Sequence, residues 1–97
     1  MLEVTLNIIA GRWKVIIIHY LLDGPKRFNQ LQRLLGGITH RTLTKQLREL
    51  EDSGLVTRKD YGEIPPRVEY SLSRLGKSLE PVLHAMHEWG NKYEVKT

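Results

Sequence analysis

The side chains best placed to do chemistry are the cations between Lys26 and Arg48. Residues 24–50 carry Lys26, Arg27, Arg33, Arg41, Lys45 and Arg48 against one acid, Glu49, whereas the whole chain of 97 residues has a net charge of only +4. The positive excess is therefore local, and a local cluster of cations points to a polyanionic partner. On a helix of about 100° per residue, Arg41, Lys45 and Arg48 share a narrow arc and Leu43, Leu47 and Leu50 lie opposite. One face can seal a core while the other meets negative charge.

Other chemistries have less to stand on. The chain contains no cysteine, which excludes a disulfide framework, a Cys-based zinc site, a thiol nucleophile and a thiol redox switch together. It also lacks a Walker-type glycine loop, an HExxH and a GxSxG pattern. His84-x-x-His87, followed by Glu88, has the helical spacing of two ligands sharing a metal. Without a third ligand nearby it reads better as the polar face of a helix. The expectation is no catalytic residue, no metal, no cofactor and no enzyme.

These cations need elements to position them. Phe28, Leu31, Leu34 and Leu35 mark one face of a short helix, with Arg27, Gln30 and Arg33 free to point at phosphates. Gly36-Gly37 supplies a turn, since glycine takes positive φ without steric cost, and Ile38 is its expected buried anchor. Thr39 is a candidate N-cap for a helix running to about Ser53, with Gly54 past its end. Two short helices about a glycine turn form a helix-turn-helix, whose second helix enters the DNA major groove. In that arrangement Thr39, His40, Arg41, Thr44 and Lys45 open the recognition helix. Arg41 suits a bidentate contact to guanine and Thr44 a thymine methyl. Lys45, Arg48 and the amide at the helix start suit phosphates.

The flanking segments fit the same plan. Met1–Ala10 has helical spacing at Leu2, Leu6 and Ile9. The run from Trp13 to Leu22 contains β-branched VIII, which a buried strand would also tolerate. Trp13, Ile16, Ile17, Tyr20 and Leu21 nevertheless follow helical spacing, and Asp23-Gly24-Pro25 is a stop. The pattern favours a helix buried on most sides, with His19 and Tyr20 in its packing. Leu55–Asp60 and Arg67–Leu72 read as paired strands joined by YGEIPP, because Val68, Tyr70 and Leu72 alternate with polar residues and two prolines have no place in a central strand. Arg58, Lys59 and Arg67 would lie on this wing, within reach of a minor groove or its phosphates.

Ser73 can cap a last helix striped by Leu75, Leu79, Val82, Leu83, Met86, Trp89 and Tyr93. Pro81 should kink it or start a second segment. So much apolar surface in so small a chain suggests an interface. The economical arrangement is a homodimer through the helices at about 1–10 and 73–95, with Leu2, Leu6, Leu79, Val82, Met86, Trp89 and Tyr93 at the contact. The chain is thus expected to be one domain, 1–97, mainly α with a small β-hairpin wing. The run VIIIHYLL is too short to span a membrane and contains His19. With no export signal legible, a cytoplasmic location is expected.

The ordered pieces IAGRWK (9–14), LDGPKRFNQL (22–31), GITHRTLT (37–44), LRELE (47–51), GLV (54–56), PPRVEYSL (65–72) and LG (75–76) together resemble winged helix-turn-helix transcriptional regulators of the HxlR type, within the broader MarR-like group. The resemblance covers nearly the whole chain and resolves VIII toward helix. It implies a dimeric, cytoplasmic repressor or activator on a palindromic operator of double-stranded DNA. Some members of that family sense oxidants or aldehydes through a cysteine near the N-terminus. This chain has none, so that property does not carry over, and the pattern names no small-molecule effector. The competing class is a winged helix serving as a protein-interaction module, which would tend to show apolar or acidic residues where Arg41, Lys45 and Arg48 stand.

Overall fold

A computed structural model of the chain describes Glu3 and residues 11–93. The expected helix at 1–10, with Leu2 and Leu6, lies outside the described residues apart from Glu3. Helix α1 (Arg12–Leu21) is followed by strand β1 (Lys26–Arg27), α2 (Phe28–Leu34) and α3 (His40–Asp52). Strands β2 (Val56–Asp60) and β3 (Val68–Leu72) then precede α4 (Arg74–Lys77) and α5 (Glu80–Tyr93). The VIII segment is helical, and Ile17, Ile18 and Leu21 are its buried residues. Burial is more one-sided than the sequence suggests. Tyr20 is half-buried, but His19 is exposed and meets the Tyr20 ring edge-on, with centroids 5.4 Å apart.

The core is built where α1, α2 and α3 converge on the sheet. Leu31, Leu43, Leu47 and Leu50 are almost wholly removed from water, joined by Leu35, Ile38, Leu55, Val56, Leu72 and Leu83. Each such aliphatic side chain contributes about 1.5–3 kcal/mol on burial. Ile38 anchors the turn as expected, but Leu34, grouped by spacing with Leu31 and Leu35, is exposed. In a helix of two turns its side chain falls just past the edge of the apolar stripe.

The wing is a three-stranded antiparallel sheet in the order β1-β3-β2. The β2–β3 hairpin pairs Val56 with Leu72 and Asp60 with Val68. The strand that sequence patterning missed, β1, adds Lys26 opposite Tyr70 and Arg27 opposite Glu69. A neighbour on both edges puts β3 in the centre, so Glu69 and Ser71 are half-buried along with Val68 and Tyr70, and only Leu72 is fully buried. The clean in-out alternation expected for β3 is blurred for that reason.

Two hydroxyl caps set the helix starts. The Thr39 side chain accepts from the Thr42 amide at 3.1 Å, and that of Ser73 from the Gly76 amide at 3.0 Å; caps of this kind contribute about 1 kcal/mol each. Past α3, Gly54 takes φ +80°, where a side chain would be strained. Pro81 begins a second segment: α4 ends at Lys77 and α5 restarts at Glu80, so the missing proline amide falls in the first turn.

Candidate nucleic-acid interface

Helix α3 divides cleanly. Leu43, Leu47 and Leu50 face the core while Arg41, Lys45 and Arg48 are exposed. Among the described residues none of these three cations is in an ion pair. Of the three acids on the same helix, Glu51 and Asp52 lie in its last turn, and Glu49, the one beside Arg48 and Lys45, is engaged elsewhere. Lys14 Nζ of α1 lies 2.9 Å from Glu49 Oε2, and this hydrogen bond and charge hold the Glu49 carboxyl below its ordinary value. The side chains of Arg41, Lys45 and Arg48 therefore remain available to solvent, although Lys45 also contributes to lowering Glu49.

The start of α3 is braced locally. His40 packs its ring on Phe28 at the beginning of α2, centroids 4.6 Å apart. Gln32 of α2 reaches the Ile38 carbonyl, at 3.5 Å. Both contacts tie the start of α3 to α2. Thr44 donates its hydroxyl to the His40 carbonyl at 2.8 Å, leaving the methyl group as the part of this side chain not committed to backbone. On α2, Arg27 and Arg33 are exposed as the spacing suggested, but Gln30 is occupied as a cap, accepting from the Arg27 amide at 2.8 Å.

On the wing, Arg58 and Lys59 are exposed. Arg67 is placed differently from the other candidate contacts. Its guanidinium lies over the Tyr61 ring, 3.7 Å from the centroid, and Nε sits 3.4 Å from Glu63 Oε2, too poorly aligned for a hydrogen bond. Lys59 Nζ approaches the same ring at 4.7 Å. Tyr61 in turn donates to Glu69 Oε1 at 2.8 Å, and that bond to a carboxylate raises the phenol above its ordinary value. Tyr61, Glu63 and Glu69 thus shape the wing although the sequence reading did not single them out. Their signal was the placement of Tyr61 and Arg67 on either side of the proline loop.

A second surface lies on α5. Val82, Met86, Trp89 and Tyr93 are exposed, with Trp89 and Tyr93 rings 5.2 Å apart. Pro81, Val82, Ala85, Met86 and Trp89 line an open apolar depression of about 660 Å³. Leu83, by contrast, belongs to the chain's own core, and Leu79 packs against it. His84 lies 3.8 Å from Glu88 and His87 3.1 Å from Asn91; no group of three or more metal-ligating residues forms among the described residues. No described helix is long and apolar enough to cross a membrane.

Comparison with known proteins agrees with this architecture. Residues 8–97 match the family model described as HxlR-like helix-turn-helix. The uncharacterized HTH-type transcriptional regulator YdeP of Bacillus subtilis is 52% identical over 92 residues, covering 95% of this chain and 72% of that protein. Among solved structures, a putative HTH-type transcriptional regulator, ytcD, superposes with a TM-score of 0.91 at 45% identity, covering 96% of this chain and 95% of that one. The redox regulator HypR in its reduced form gives 0.90 at 48% identity, covering 96% and 92%. With the fold, the cationic helix and these relatives in agreement, the chain belongs to the HxlR-like helix-turn-helix family of transcriptional regulators.

Proposed function

We propose that the protein binds a specific, palindromic site on double-stranded DNA as a homodimer. The observation that carries this is the face of α3, where Arg41, Lys45 and Arg48 are exposed and free of ion pairs among the described residues. Helix α3 enters the major groove. Arg41 reads guanine, the Thr44 methyl meets thymine, and His40, steadied on Phe28, lies beside the first base pair or its phosphate. Lys45, Arg48 and the amides at the Thr39 cap hold the backbone. Arg58 and Lys59 approach the flanking phosphates from the wing, where Arg67 chiefly shapes the hairpin. The dimer forms through the face of α5 bearing Val82, Met86, Trp89 and Tyr93, with Leu79 at its inner edge and Leu2 and Leu6 from the N-terminal segment. HypR is a redox regulator, but these 97 residues contain no cysteine on which a thiol switch could act.

A protein-interaction module is the competing function, and the cationic face of α3 argues against it. Selection of bound duplexes from a random pool, followed by titration of two variants, tests the assignment. Arg41→Ala is expected to lose about 1–3 kcal/mol of specific binding and to relax one base preference. Arg48→Ala is expected to weaken all sequences alike and lower the salt slope by about one. Binding unaffected by both changes would remove α3 from the interface.

A further inference from the structure

The tip of the wing presents an apolar side chain where a solvated loop would be expected to show polar ones. Ile64 is 99% exposed and is followed by the exposed Pro65 and Pro66, so three successive residues of the hairpin loop are apolar and open to solvent. The loop beneath them is braced. The Tyr61 amide donates to the Arg67 carbonyl at 3.0 Å, the Gly62 amide donates to Asp60 Oδ1 at 2.9 Å, and Tyr61 is clasped between Arg67 and Glu69. These contacts also occupy the acids around the tip. Glu63 faces Arg67, Glu69 accepts from Tyr61, and Asp60 accepts from Gly62. These carboxylates keep their charge but are held by the hairpin's own donors, and Arg58 and Lys59 stand exposed just behind.

We infer that Ile64 is a specificity-determining contact that enters the DNA minor groove beside the major-groove site of α3 and disfavours G·C pairs there. This rests on the DNA-binding function proposed above and adds to it a contact that cations alone would not make. Isoleucine and proline are among the side chains that proteins insert into the minor groove. The groove distinguishes G·C from A·T chiefly by the guanine 2-amino group. An isoleucine pressed on that donor strips its water and offers no acceptor, a loss that A·T does not incur. A protein partner at the tip is the other occupant, but the exposed cations Arg58 and Lys59 behind Ile64 match a phosphate-lined groove better.

The test uses the full chain and the duplex enriched from a random pool, rebuilt with A·T, G·C or inosine·C at the positions under the wing. Inosine keeps the major-groove edge of guanine without the 2-amino group. The wild type is expected to bind the G·C duplex about fivefold or more weakly than the A·T duplex and to recover on inosine·C. Ile64→Ser, at a fully exposed position and so expected to fold, should bind all three alike while keeping its dependence on Arg41. If Ile64→Ser discriminates among the three duplexes as the wild type does, or if inosine·C binds as weakly as G·C, the contact is refuted. In either case Arg41→Ala still reports on α3, so failure here is separable from failure of the DNA reading. A pool that yields no enriched sequence overturns both.

Discussion

Helices α3 and α5 are nearly the same length, 13 and 14 residues, and both are amphipathic. In α3 three leucines are buried by the chain's own core and the polar face is left exposed. In α5 only Leu83 is buried, and Val82, Met86, Trp89 and Tyr93 face outward. A stripe of apolar residues thus states that a face will be covered, but not by what. Charge separates the two cases: α3 offers solvent Arg41, Lys45 and Arg48, whereas the uncovered side of α5 offers rings and thioether.

The contrast can be broken at its strongest point first. Leu47→Ala, at a position 1% exposed, should cost about 2–5 kcal/mol of folding stability by chemical denaturation. A smaller loss would mean that α3 is less firmly sealed than α5. Next, Trp89→Asp should leave the stability of the single chain within about 1 kcal/mol yet halve the mass seen by light scattering. A variant that stays dimeric would move the interface off α5.

The smallest effect concerns what ties α3 to α1. Glu49 titrates below its ordinary value because of Lys14. The contribution of that pair is therefore complete above the ordinary glutamate range and is lost as pH falls through the lowered value. Lys14→Met should raise the Glu49 titration, followed by NMR, toward the ordinary value, with no change in the neutral-pH oligomer. An unmoved Glu49 would show that the pair does not persist in solution.

Local patterns carried much of this arrangement. The cap at Thr39, the stop at Gly54, the cap at Ser73 and the restart at Pro81 are each set by a residue acting within a turn of itself, and the cationic and leucine stripes of α3 follow from periodicity alone. What was not legible depends on distant partners. Two residues of β1 have no period to detect; they become a strand only because β3 has a free edge. Spacing grouped Leu34 with Leu31 but cannot measure depth, and likewise placed His19 in a core it does not enter. Arg67 looked like a free cation until Tyr61 and Glu63 were brought beside it by the hairpin. Lys14 and Glu49 meet only because α1 and α3 pack together.

The junction around Leu55 bears on how a signal could travel. The Leu55 carbonyl accepts from the Ser73 amide at 3.0 Å, and the Ser73 hydroxyl donates to the Gly54 carbonyl at 2.6 Å. Gly76 approaches the same carbonyl so closely that a Cβ there would collide with it. The exit of α3, the root of the wing and the entry to the terminal helices are therefore welded at one point rather than hinged. A shift of α4 would therefore be felt at once at the exit of α3 and the root of the wing, whereas α5 is set off from this point by the break between Lys77 and Glu80. Any Gly76 substitution would pry that weld apart without touching the exposed cations of α3.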